Sequence, residues 1–229
     1  MTKRLILWDI DGTLVRSGDV GAAVFDLAIE KVIGRRPRAR VHMSGKTDRQ
    51  IVEEYLALEG DPDPALIPPI LHHLEQELAQ RIDQMAAEGR ACAGAEAALH
   101  ALSAIDGVEQ TVLTGNIGPN AWAKLSAFGL DGYLDLEVGA YGGEHSDRRE
   151  LLPLAWGRQR EARGNDYGPY ETWIVGDTAN DLACARASGA HCLLVATGRA
   201  GRAELDALGA DEVLEDLTDT GRVVEILTS

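Results

Sequence analysis

The sequence predicts an α/β fold, a parallel β-sheet core covered by helices, with an all-helical segment inserted near its start. Three observations carry this. Short apolar runs end repeatedly at acidic, glycine or small polar residues, helical patterns separate those runs, and between residues 15 and 87 only helical spacing remains. Runs that are apolar throughout, rather than alternating, suit strands buried on both faces of a parallel sheet.

The elements follow in order. Leu5–Ile10 reads as the first strand and stops at Asp11-Gly12. Val20–Ile33 is amphipathic. Thr47-Asp48-Arg49-Gln50 has capping-box spacing ahead of Ile51, Val52, Tyr55 and Leu56. Ile70, Leu74, Leu78, Ile82 and Met85 then recur at helical spacing after Pro68-Pro69. Strand signals return at Thr111–Leu113, Trp173–Val175 and Cys192–Val195, with Tyr133–Val138 a further strand candidate. Between and after them lie helices: one opened by Pro119 and closed by Gly129, one over Leu151–Arg163, one over Asn180–Ser188 ending at Gly189, and one over Ala203–Leu208 ending at Gly209.

Composition narrows the function. The 229 residues fit one domain, or a core with a modest insertion. A formal charge of −15 argues against nucleic acid or an anionic membrane as partner. Cys92, Cys184 and Cys192 form no C-x-x-C pair and are odd in number, which fits a reducing cytoplasm better than a disulfide framework. The apolar run after Lys3-Arg4 is too short for a signal peptide, and no segment approaches the roughly 18–20 apolar residues of a membrane span. A monomer or homodimer is expected.

The residues that carry chemistry cluster at strand ends. Asp9 and Asp11 flank Ile10 at the end of the first strand, and Gly12 permits the turn that follows. Two carboxylates in one small site repel each other and call for a cation or a shared proton. Asp177 and Asp181 stand four apart after the Trp173–Val175 strand. Thr114-Gly115-Asn116 offers a hydroxyl and backbone N–H groups suited to phosphate oxygens. In a parallel sheet, ligands bind at the carboxyl ends of strands, so Asp9, Asp11 and Asp177 should meet there. Hard carboxylate oxygens suit Mg²⁺.

This order of motifs resembles the haloacid dehalogenase superfamily, whose pattern is D-x-D-G-T on the first strand, a strand ending in Ser or Thr, a Lys or Arg, and then G-D-x-x-x-D. The counterparts are Asp9-Ile10-Asp11-Gly12-Thr13, Thr114, Arg148 and Gly176-Asp177-Thr178-Ala179-Asn180-Asp181, spread from residue 5 to about 215. The resemblance implies a Rossmann-like catalytic core over residues 1–14 and 88–229, with a helical cap over 15–87. It implies Mg²⁺-dependent hydrolysis of a small, phosphoglycolate-like phosphomonoester through a phospho-aspartate on Asp9. Asp9 would also bind Mg²⁺. Asp11 would act as acid and then base, with its main-chain carbonyl on the metal. Thr114, with Gly115 and Asn116, would bind the phosphoryl group, and Asp177 the metal, with Asp181 and Thr13 in support.

Where relatives of this subclass carry Lys-Pro at the third motif, the chain has His145-Ser146-Asp147-Arg148-Arg149-Glu150. Arg148 is the expected occupant, with Arg149 the alternative. A guanidinium can grip phosphate oxygens bidentately. In the insertion, Ser44-Gly45-Lys46-Thr47 is not a P-loop, because position 40 is arginine rather than glycine. Lys46 is expected on a cap loop that closes over the substrate, a small phosphorylated metabolite. The stretch Lys31 to Arg40 is basic, suiting either a solvated face or a lure for anions. A phosphomutase would use the same Asp9 chemistry, and a phosphate-binding module without turnover would keep the pocket alone.

Overall fold

The computed structural model describes residues 3–18, 20–38 and 40–229. Its main sheet contains β1 (Arg4–Trp8), and a short ribbon pairs β2 (Val15–Arg16) with β3 (Arg90–Ala91). The main sheet continues with β4 (Val108–Thr114), β5 (Ala140–Tyr141), β6 (Thr172–Gly176), β7 (His191–Val195) and β8 (Glu212–Leu214). Its order is β5-β4-β1-β6-β7-β8, every neighbouring pair parallel. This is the α/β architecture that the strand–helix alternation predicts, with β1 central and buried on both faces.

The residues of β1 show why the sheet needs two layers. Ile6 and Trp8 join one core cluster with Val112, Val175 and Leu193. Leu5 and Leu7 join the other with Leu113, Ile174 and Leu194. Alternate side chains of an apolar strand enter opposite cores, so neither face tolerates a polar residue. Helices cover both sides. Before β3 lie α1 (Val20–Ile33), α2 (Asp48–Glu59), α3 (Ile67–Ala79) and α4 (Ile82–Glu88). After it come α5 (Ala95–Ser103), α6 (Gly118–Ala127), α7 (Leu151–Arg158), α8 (Ala179–Ser188), α9 (Arg202–Asp206) and α10 (Thr220–Thr228).

The helices α1 to α4 bury a core of their own, built on Val24, Ile29, Val52, Tyr55, Ile70, Leu74 and Met85. The β2–β3 ribbon connects them to the sheet. It is antiparallel, with Val15 opposite Ala91 and Arg16 opposite Arg90.

Three local expectations change. The Tyr133–Val138 candidate is not a strand but lies across two 3₁₀ turns, Asp131–Tyr133 and Leu136–Val138. Asp135 turns the chain there: its carboxylate accepts from Glu137 N, while its own N–H donates to Gln110 O at 2.8 Å. The periodic stretch from Ile70 to Met85 is two helices, broken at Gln80-Arg81, where Arg81 folds back to donate to Glu77 O at 3.0 Å. The stretch from 15 to 87 is not helical throughout, because Val15–Arg16 pairs as β2, and the edge strand β8 carries too little apolar sequence to be recognised. None of the described helices is long and apolar enough to cross a membrane. Cys92, Cys184 and Cys192 are buried free thiols.

Candidate active site

The site forms where β1, β4 and β6 end. Asp9 N–H donates to Val175 O at 2.9 Å, which extends the β1–β6 pairing to the first acidic residue. The chain then turns tightly, with Gly12 N–H on Val15 O at 2.8 Å. Gly12 has φ +94°, and a Cβ there would come within 2.5 Å of an Asp177 oxygen. Only glycine can both adopt this turn and leave room for that carboxylate.

Asp9, Asp177 and Asp181 each present a carboxylate oxygen within 4.8 Å of one another, and all three are buried. Arg148 Nη2 lies 3.0 Å from Asp9 Oδ1 and 2.6 Å from Asp181 Oδ1, and donates to Leu113 O at 3.2 Å. Burial away from water raises the Asp9 carboxyl, Arg148 opposes that rise, and Asp181 and Asp11 add repulsion. Asp177 is likewise raised by burial and by its acidic neighbours. One guanidinium thus faces three acids. Both Asp181 oxygens are engaged, Oδ1 by Arg148 and Oδ2 by Thr178 N–H and Oγ1. Asp9 and Asp177 instead line the open cleft. Buried, mutually repelling oxygen donors that open on a cleft fit a hard divalent cation. Thr13 Oγ1 donates to Asp177 Oδ1 at 3.4 Å from behind.

Asp11 sits differently. Its Oδ2 accepts from Lys124 Nζ at 2.6 Å and Asn116 Nδ2 at 2.7 Å, and its Oδ1 accepts from Ser17 Oγ at 2.7 Å. Enclosure would raise its pKa, but the Lys124 ammonium and these donors prevail and hold it below the usual carboxylate value. Lys124 and Ser17 were not singled out in the sequence. The available signal for Lys124 was a lone lysine beside Leu125 on the apolar face of α6, where Ala121 also lies. Lys124 Nζ also donates to Asn116 Oδ1 at 2.7 Å, and Asn116 Nδ2 donates to Thr114 Oγ1 at 2.9 Å. Thr114 is wholly buried under this network, while Gly115 and Asn116 line the cleft.

The start of α2 is clasped to the sheet. Thr47 caps the helix by accepting from Gln50 N–H, and donates through Oγ1 to Ser146 O at 2.9 Å. Asp48 N–H donates to Gly115 O at 2.7 Å, and its Oδ2 accepts from Ile117 N–H at 2.8 Å. Lys46 lines the cleft, with Nζ on Glu54 Oε2 at 2.5 Å. The cleft encloses about 720 Å³ between the two layers.

Burial pushes Asp48 from 3.8 up to about 7, against Lys124 and the Ile117 N–H. The folded chain therefore holds a proton that the unfolded chain has released, so stability falls as pH rises between those values. Asp48→Asn should remove that part of the slope. Thermal melts should show its Tm gaining on the wild type across the window and changing no further above it. A constant Tm difference at every pH contradicts the assignment.

Known proteins identify the family. The model of the haloacid dehalogenase-like hydrolases matches residues 6–186, a span that includes Asp9, Asp11, Thr114, Arg148, Asp177 and Asp181. The chain belongs to the haloacid dehalogenase-like hydrolases. A second, HAD-hydrolase-like model matches residues 153–220. No curated protein matches the chain significantly.

Solved structures share the haloacid dehalogenase-like fold over nearly the full length. A predicted phosphatase from Clostridium acetobutylicum is 18% identical, with TM-score 0.71, covering 98% of this chain and 100% of its own. CbbY from Rhodobacter sphaeroides, in complex with phosphate, is 20% identical, with TM-score 0.71 and 96% coverage of both chains. A predicted phosphoglycolate phosphatase from Haemophilus somnus is 19% identical, with TM-score 0.66, covering 98% and 99%. Within this family frame, Arg148 is the arginine at the acids. Arg149 is exposed and pairs with Asp147 at 2.6 Å.

Proposed function

We propose that the chain is a Mg²⁺-dependent phosphatase that hydrolyses a small phosphomonoester through a phospho-aspartate on Asp9. One observation carries the reading. Asp9 presents its carboxylate to the cleft beside Asp177, with Arg148 behind it and Asp11 opposite on a separate network. Membership of the hydrolase family supports it, as does the phosphate bound by the CbbY structure.

Asp9 attacks phosphorus, and the ester P–O bond breaks as the new P–O bond forms. Asp11 is placed to give the leaving oxygen a proton and then to take one from the water that cleaves phospho-Asp9. As the structure stands, Lys124 keeps Asp11 ionised, which suits the second step. A leaving group that needs a proton requires the Lys124 contact to loosen first. Arg148 holds Asp9 in place and balances charge. Mg²⁺, held by Asp9, Asp177 and the Asp11 main-chain carbonyl with Asp181 in support, would offset the repulsion between carboxylate and phosphate. Thr114, Gly115 and Asn116 are assigned to the phosphoryl group, the buried Thr114 acting through the Asn116 side chain that bonds it, and Lys46 to the substrate from the cap side. The cap spans residues 15–87 between the two arms of the core, and closure over the substrate would exclude water.

Phosphate release from p-nitrophenyl phosphate tests this. EDTA should abolish it and added Mg²⁺ restore it. Undiminished release after chelation would remove the metal from the account, and no release under any condition would remove the hydrolase reading.

A further inference from the structure

One wall of the cleft carries arginines that the chemistry at Asp9 does not use. Arg16 on β2 stands opposite Arg90 on β3, and like charges facing each other across an antiparallel pair are destabilising. Both line the cleft, as does Arg199 in the loop after β7. Among the described residues, the Arg90 and Arg199 side chains have no ion pair or hydrogen bond. Arg16 donates through Nε to Thr197 O and through Nη2 to Gly198 O, each at 2.8 Å, neutral carbonyls that, among the described residues, leave its charge unpaired and its Nη1 unused. Glu88 also lines the cleft, and it accepts from Gln84 at 2.9 Å.

The wall is tied to the catalytic turn. Thr197 Oγ1 donates to Gly12 O at 2.6 Å. Gly198 lies so close to Asp177 that a Cβ would overlap its carboxylate. The arginines thus share a frame with Asp9 and Asp177. In the stretch from Lys31 to Arg40, by contrast, Lys31 pairs with Glu77, Arg35 with Glu59 and Arg40 with Asp26. Uncompensated guanidinium groups gathered at a cleft suit an incoming anion, since their forked donors match carboxylate and phosphate oxygens.

We propose that Arg16, Arg90 and Arg199 bind a second anionic group of the substrate, a carboxylate or a second phosphate, while its phosphomonoester lies against Asp9. The substrate class is then a small molecule with two anionic ends. This rests on the phosphatase reading for the placement of the first end.

The test is calorimetry with Mg²⁺ in the Asp9→Asn background, which cannot turn over, with and without Arg90→Ala and Arg199→Ala together. The ligands are 2-phosphoglycolate, 1,3-propanediol bisphosphate and ethyl phosphate. The arginine substitutions should weaken at least one of the doubly anionic ligands by about tenfold or more, the scale of lost charge-assisted hydrogen bonds. Ethyl phosphate should bind within about twofold of the parent, since the pair leaves the Asp9 end intact. Whichever doubly anionic ligand loses more identifies the second group as carboxylate or phosphate. Equal losses for all three ligands, or no loss for any, overturn the proposal. Binding does not require turnover. Arginine-dependent affinity in a chain that releases no phosphate would defeat the hydrolase reading and leave the anion subsite standing.

Discussion

Arg148→Ala should cut phosphate release by about a hundredfold or more, the scale seen when a preorganised charge-stabilising donor is removed, and should also destabilise the fold. The guanidinium is buried between Asp9 and Asp181, and their charges outweigh the effect of burial to keep it protonated. Removing it leaves two buried carboxylates uncompensated, a change that costs about 3–5 kcal/mol when one partner of a buried pair is lost. For a chain of this size that corresponds to a fall in Tm of roughly 10 °C, measured with EDTA present so that no cation takes over the role. Arg148→Lys should restore only part of either loss, because the shorter lysine stem ends in one nitrogen and cannot place Nη2 among Asp9, Asp181 and Leu113 O while a second nitrogen reaches Gly45 O at 3.5 Å. Arg149→Ala should be near neutral, since its partner Asp147 lies at the surface. A large loss for Arg149→Ala with none for Arg148→Ala would reverse the assignment.

Much of this architecture is legible in the sequence, for physical reasons. A strand buried on both faces must be apolar throughout, so Leu5 to Trp8 announces itself, and the first charge, Asp9, marks where the strand leaves the core. The same logic exposes Asp177 after β6 and Thr114 at the end of β4. The Thr47-to-Gln50 spacing reads out because helix capping is local. What stays hidden is what depends on distant chain segments meeting. Lys124 reaches Asp11 across 113 positions, and nothing near either residue states that pairing. Arg16 and Arg90 become neighbours only through a two-residue ribbon, too short to carry a strand pattern. In the basic stretch from Lys31 to Arg40, the partners of Arg40, Arg35 and Lys31 come from α1, α2 and α3, pairings that the local sequence equally does not state. Tyr133–Val138 has strand composition, yet the Asp135 side chain competes for the backbone and wins.

The largest expected effect belongs to Asp9. Asp9→Asn keeps the size and most hydrogen bonding of the side chain but removes the attacking carboxylate, so turnover should fall by about 10⁴-fold or more, as when a nucleophile is lost. Asp11→Asn should behave differently. An aryl phosphate needs little help from an acid to depart, so attack by Asp9 continues, while release slows because the base that activates water is gone. The Lys124, Asn116 and Ser17 contacts around position 11 leave the nucleophile untouched. The two carboxylates, alike in chemistry and two residues apart, are thereby separated by which step fails. The most direct measurement is mass spectrometry of the Asp11→Asn protein, mixed with p-nitrophenyl phosphate and Mg²⁺ and rapidly quenched. The account predicts one added phosphate, located on Asp9 by peptide fragmentation and missing when Asp9→Asn is introduced as well. Phosphate on any other residue, or an Asp9→Asn protein that turns over near the wild-type rate, would contradict it.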